Sequence, residues 1–178
     1  MNSTQKQAFH DIVASVLGLS KSSVITANQN APRPTKTYCT LRYYSHSQEV
    51  PSEQRKTATA GEELVISPTN LRCEVQMFAT TGTDACYELN KLVNAFDRQT
   101  IIDICNTNNF CIIDAEPVQD ISALLDNTTW ETRASVDINI RFNTEYTDNV
   151  GYVATVEITG NTYNSSTTTP AISITEGE

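Results

Sequence analysis

Val136, Ile138, Ile140 and Phe142 alternate with Asp137, Asn139, Arg141 and Asn143, the period-two pattern of a long strand with one dry and one wet face. Asp148, Asn149 and Gly151 then supply turn chemistry, because Asn and Gly tolerate positive φ, and Tyr152, Ala154, Val156 and Ile158 begin a second alternating run. At the other end of the chain the period changes. Phe9, Ile12, Val13, Val16 and Leu17 recur at helical spacing, which predicts an amphipathic helix from about Ser3 to Leu17, ended by Gly18 and docked by one face on a sheet. A short apolar run at Val24 and Ile25 leads through a proline-bearing loop to an alternating strand from about Tyr38 to Gln48.

Between Val50 and Pro68 the chain turns hydrophilic, with Pro51, Arg55, Lys56 and Gly61, before a further strand from about Leu71 to Phe78. The two strands and the segment between them read as a long hairpin with an extended tip. That tip is either a loose surface loop, as its composition suggests, or an arm that grips a neighbouring subunit. Thr83 or Asp84 can cap a second helix with the stripe Cys86, Leu89, Leu92, Val93 and Phe96. Another helical turn or two follows through Ile101, Ile102 and Ile104, and Phe110 to Asp114 reads as a short buried strand. Next comes a compact apolar and acidic turn, Pro117 to Asp126, in which Val118, Ile121, Leu124 and Leu125 are expected to anchor on the core. Trp130 and the ion-pair candidates Glu131 and Arg133 lie just beyond it.

This order predicts an α+β fold with a mixed or antiparallel sheet packed against helices on one face and a hairpin arm at about 50–68. A length of 178 residues suits one domain with a real core. The expectation is a domain over 1–160 followed by a Ser/Thr-rich tail over 161–178 that orders on assembly, with a brief alternation at Ile172 and Ile174. No internal repeat is visible.

Charge narrows the partners. The net charge of −9 argues against grasping a nucleic-acid backbone, and Arg55-Lys56 is the only adjacent basic pair. No stretch approaches the roughly 20 apolar residues of a membrane span, and the N-terminus lacks a basic region followed by an apolar one. Synthesis in a cytoplasm, with no membrane partner, is therefore expected. Cys39, Cys73, Cys86, Cys105 and Cys111 are odd in number and show no Cys-x-x-Cys spacing, so free thiols are expected, Cys73 and Cys86 among core residues. The sequons at Asn2, Asn127 and Asn164 are incidental on this reading.

The search for chemistry finds little. His10 and His46 are the only histidines, and each reads as solvated or locally bonded. The glycines form no phosphate-cradling loop, so no nucleotide cofactor is expected. Asp114, Glu116, Asp120 and Asp126 are close enough in sequence to hold a hard cation or share a proton, but the spacing of a calcium loop is absent. The structural reading of that cluster is the better one, with Asp120 accepting from backbone amides of its own turn. No catalytic, cofactor-binding or metal-ligating residue is assigned. Trp130 suits an interface anchor and a half-buried strand tryptophan equally well.

Two stretches carry a resemblance to a known family. One is the polar, proline-punctuated Ala27-Asn28-Gln29-Asn30-Ala31-Pro32-Arg33-Pro34 ahead of the strand from Tyr38 to Tyr44. The other is the turn from Pro117 to Asp126 with Trp130, Glu131 and Arg133, closed by Asp148-Asn149-Val150-Gly151-Tyr152. In this ordered combination the chain resembles the bacteriophage neck or tail terminator proteins over most of residues 1–160, and departs from them beyond Gly160. The resemblance implies a structural virion protein and not an enzyme. It implies a homo-oligomeric, hexameric ring that caps the tail and adjoins the head connector and the tail tube or sheath, with a channel through which double-stranded DNA passes without sequence-specific binding. Acidity suits such a channel, which must repel phosphate rather than hold it. Two rival readings are a head-completion or tail-tube subunit, and a small-ligand or metal module built on carboxylates near 114–126.

Overall fold

The computed structural model of the chain describes residues 1–30, 32–48, 50–125, 129–156 and 174–177. They divide into two compact units, one within residues 1–51 and 68–144, the other of residues 52–67, 145–156 and 174–177.

In the first unit, helix α1 spans Ser3–Leu17. Asn2 caps it through its side chain and the Gln5 side chain reaches back to the Asn2 amide, a reciprocal box that satisfies two donors the first turn leaves open. Gly18 ends the helix at φ 65°, a left-handed conformation for which glycine carries no steric penalty. Phe9, Ile12 and Val13 are buried along one face. A 3₁₀ turn, Lys21–Ser23, leads to β1, Val24–Thr26, which runs parallel to β2, Tyr38–Ser47. His10 is locally bonded, as expected: its Nε2 lies 2.7 Å from the Val24 carbonyl and its Nδ1 3.1 Å from Asp11.

The hairpin arm at about 50–68 is present as two strands. β3, Glu53–Lys56, pairs antiparallel with the start of β4, Glu62–Ala79. β4 therefore begins nine residues before the strand expected at Leu71, because Glu62, Glu63 and Leu64 continue an extended run that the polar composition disguises. Helix α2, Ala85–Ala95, is capped by Asp84, and α3 spans Gln99–Thr107. β5, Phe110–Ala115, is an edge strand rather than a buried one: only Phe110 is buried, while Cys111, Ile113 and Asp114 are exposed. The turn after Pro117 consists of two short strands, β6 (Gln119–Asp120) and β7 (Ala123–Leu125), both paired to β8, Thr129–Asn149.

The resulting sheet follows the order β1-β2-β4-β8-β5; one parallel pair and the antiparallel remainder make it mixed, and it is open. With the three α-helices of the described residues packed on it, the fold is α+β. The expected alternation in β8 is exact in its consequence: Val136, Ile138, Ile140 and Phe142 are buried in a core shared with α1 and α2. The opposite face is covered by polar side chains that partner one another across strands. Tyr44 donates to Asp137 at 2.7 Å, Arg72 pairs with Glu116 at 2.8 Å, and Arg141 donates to Asn70 at 2.7 Å.

In the second unit, Gly151 turns the chain at φ 72° and β9, Tyr152–Val156, pairs antiparallel with β10, Ile174–Gly177. Val65 and Ile66 are buried there. The Val150 amide donates to the Gly61 carbonyl at 2.9 Å, and a Cβ on Gly61 would meet the Tyr152 ring at 3.0 Å, so the arm's turn lies close against the turn after β8. Ile158, Ile172 and most of the 161–178 stretch lie outside the described residues.

Candidate functional site

Among the described residues, Asp114, Glu116 and Asp120 each have a different partner. Asp114 accepts from Asn139, Glu116 pairs with Arg72, and Asp120 accepts from the Ser122 amide at 2.9 Å, the turn-internal bond expected of it. The Ser122 hydrogen bonds hold the Asp120 carboxyl below its ordinary value. Asp126 lies outside the described residues. Among those described, no group of three or more His, Cys, Asp or Glu could hold a metal ion. All five cysteines are free thiols, Cys39, Cys73 and Cys105 buried, Cys86 half-buried and Cys111 exposed.

What the molecule offers instead is surface. Leu124 and Trp130 are direct partners across the β7–β8 pairing and are 46% and 66% exposed. The expectation that Leu124 anchors its turn on the core is therefore wrong. β7 is a strand, so its side chains alternate, and the half-buried positions are Ala123 and Leu125, with Leu124 on the open face between them. Val118 does pack against the core. Trp130 is open to solvent and not the half-buried strand tryptophan of the alternative reading.

On the face of β8 opposite to that of Trp130 lies a charged cluster of which the sequence suggested only the Glu131–Arg133 pair. Glu131 is 1% exposed and is held by Lys36 at 2.6 Å and by Arg133. Burial alone would raise its pKa; hydrogen bonds from Lys36 and Arg133, then their charges, overcome that and hold the carboxyl below its ordinary value. Arg133 also sits over the Phe78 ring, 5.1 Å from its centroid, with Arg33 at 6.0 Å and Tyr38 stacked on the same ring at 4.7 Å. Arg33 and Lys36 come from the loop before β2, Phe78 from the end of β4 and Arg133 from β8. No periodic signal could have assembled these residues, because they meet only when three segments far apart in sequence come together.

The second unit also has large side chains open to solvent. Tyr146, Val150, Tyr152 and Val153 are each about half exposed, at 53%, 53%, 47% and 58%. A separate groove of about 880 Å³ runs between α1 and α3, with Ala8, Ile12, Ile101 and Ile104 among its lining. Among the described residues no helix is long and apolar enough to cross a membrane.

The described residues thus form an open mixed sheet backed by helices, with several large aromatic and aliphatic side chains exposed. No curated protein matches the chain. A model of the family described as phage neck terminator protein does match, over residues 6–165 of the 178, and the chain belongs to that family of bacteriophage structural proteins.

Proposed function

We propose that this chain is the subunit of a closed ring, hexameric by the family resemblance, that caps the phage tail and joins it to the head connector. The observation that carries the reading is that four large side chains close in sequence, Tyr146, Val150, Tyr152 and Val153, are each about half exposed. Large side chains left open in this way mark positions that a partner covers. A ring needs a heterologous interface, one surface of each copy against a different surface of the next, and the several distinct exposed patches suit that geometry. The partners are further copies of this chain, the head-connector protein on one side and the tail tube or sheath on the other. Double-stranded DNA passes through the channel without sequence contacts, which a net charge of −9 favours by repelling phosphate. The protein acts without catalysis, in the neck of the virion, after synthesis in the cytoplasm of the bacterial host.

Light scattering on the purified protein and electron microscopy of virions lacking and regaining this chain test the reading. Closed rings, and tails that stop at a defined length and join heads only when the chain is supplied, are expected. Long open polymers would point to a tail-tube subunit instead, and a strict monomer whose melting shifts with metal would point to a ligand module.

A further inference from the structure

Four of the eleven large apolar side chains that stand open among the described residues fall within eight positions, at Tyr146, Val150, Tyr152 and Val153. Gly151 turns the chain between them at φ 72°. β8 reaches that turn with its last seven residues, 143–149, all exposed. A strand of a folded domain ordinarily keeps one face dry, so this run has a face left for another surface.

The larger unit holds a concave counterpart. The groove of about 880 Å³ between α1 and α3 is floored by Ala8, Ile12, Ile101 and Ile104 and edged by the hydroxyls of Thr4 and Ser15. Ile12 and Ile101 are buried, but Ile104, one turn beyond Ile101 on α3, is 40% exposed. An apolar floor with a polar edge is the anatomy of a protein–protein contact. The walls are fixed before anything docks. Gln5 Nε2 donates to the Asn109 carbonyl at 2.9 Å, tying the start of α1 to the chain just past α3, and Lys21 pairs with Asp11 of α1 at 2.6 Å. Little freedom is lost when a partner enters a groove held in this way.

Charge points to the occupant. Residues 1–24, which supply α1 and Lys21, carry two lysines against one aspartate, whereas residues 143–153 carry Glu145 and Asp148 and no basic residue. Opposite charge steers two such segments together and disfavours pairing of like with like. We propose that the α1–α3 groove receives the turn segment, residues 145–153, of a second copy of this chain. The proposal rests on the ring reading and specifies its interface. Segment and groove are different surfaces, so each copy offers one and receives the other, the head-to-tail arrangement that closes a ring.

Ile104→Asp and Val150→Asp place a charge on either side of the contact at exposed positions, and Tyr87→Asp places one on α2, outside both. Sedimentation velocity across a protein concentration series reads association, and a thermal melt reads folding. Ile104→Asp and Val150→Asp are each expected to weaken association about tenfold or more with an unchanged melt, and Tyr87→Asp to associate as the wild type does. A second measurement does not depend on the melt: Ile104→Cys and Val150→Cys chains are mixed and oxidised with copper phenanthroline, and peptide mass spectrometry reads the disulfides. A bond joining positions 104 and 150 is expected, and it forms only between copies because each chain carries one of the two substitutions. An assembling mixture without that bond, or full association in Ile104→Asp or in Val150→Asp, overturns the pairing of groove and turn and leaves the ring intact. An equal loss in Tyr87→Asp overturns it as well, because added charge alone would then account for the effect. A wild-type chain that is monomeric at every concentration overturns the ring reading and this proposal with it.

Discussion

Leu124 and Trp130 face each other across the β7–β8 pairing, and both side chains lie open to solvent on a segment whose neighbours Ala123 and Leu125 are half-buried. An exposed leucine has little transfer energy to lose, so Leu124→Ala is expected to change unfolding free energy by no more than about 0.5 kcal/mol. Leu89→Ala, at a fully buried position of α2, is expected to cost about 2–5 kcal/mol. Urea denaturation of the two variants checks the contrast, and a large loss in Leu124→Ala would mean that the turn packs on the core after all.

The ion pairs of Glu131 predict an asymmetry. Glu131 is 1% exposed, whereas the side chains of Lys36 and Arg133 are 34% and 22% exposed and reach water more readily. Arg133→Met leaves a buried carboxylate with one cation and is expected to cost about 3–5 kcal/mol. Glu131→Gln leaves two cations that solvent can compensate and is expected to cost less, about 1–3 kcal/mol. The same denaturation assay ranks them, and the reverse order would show that Glu131 is not the desolvated member of the cluster.

Acid is expected to destabilise the fold through these carboxylates. Asp11 is held down to about 2, chiefly by the hydrogen bond from Lys21 at 2.6 Å, with burial opposing and His10 and Gln7 assisting. A carboxylate depressed in the folded state contributes stability that is complete above its unfolded pKa and is lost as pH falls through the folded one. The loss attributable to Asp11 therefore falls between about pH 4 and pH 2. Its side chain is 37% exposed, so solvent screening limits the contribution to less than about 1 kcal/mol. Glu131, also depressed, adds a loss of the same sign below its ordinary range. Melting temperature measured from pH 5 to pH 2 is expected to fall, with a shallower fall in Asp11→Asn; identical slopes would remove Asp11 from the account.

Thiol labelling gives an independent view of burial. Burial pushes the Cys39 thiol up to about 12 and that of Cys105 to about 11, and raises Cys73 and Cys86 as well. Cys111 is exposed on the edge strand β5. Alkylation of the native protein at pH 8 is expected to modify Cys111 first and the buried thiols only as fast as the fold opens. Rapid labelling of Cys39 or Cys73 would contradict the core described here.

The elements that periodicity reveals are those whose environment repeats along the chain. α1 and the dry face of β8 were legible because Phe9, Ile12, Ile138 and Ile140 all meet one core, and the caps at Gly18 and Asp84 mark helix ends by local chemistry alone. β5 misled because Ile112 and Ile113 look like a buried run, while an edge strand with a register shift after Ile112 leaves Ile113 outside. β3 was hidden for the opposite reason: all four of its residues are exposed, so Glu-Gln-Arg-Lys carries no apolar period and its pairing to β4 is a backbone matter. The cluster on Phe78 depends on contacts between residues more than 40 positions apart, as with Arg33 and Phe78, and no local pattern encodes those.

The arm itself supplies the last prediction. β3 lies on Val65 and Ile66, pairing Gln54 with Val65 and Glu53 with Ile66, and these two side chains are 5% and 8% exposed. The Gly61 turn also accepts from Val150. Replacing Ser52 to Glu62 with a short glycine-containing turn therefore removes more than a surface loop: it strips a strand from the smaller unit and a hydrogen-bond acceptor from the turn after β8. Amide protection is expected to fall over residues 63–66 and 145–156. Residues 1–51 and 68–144 are expected to keep theirs, because Phe9, Leu41, Leu89 and Ile138 are buried in a core of their own. Shortening a loop by itself changes closure entropy only slightly, so any broad loss of protection would have to come from lost packing. Hydrogen exchange read by mass spectrometry locates the change, and complementation of particles lacking this chain reads its consequence. Tails are expected to go uncapped. Full assembly at wild-type concentration would remove the arm from the interface and direct attention to residues 161–178.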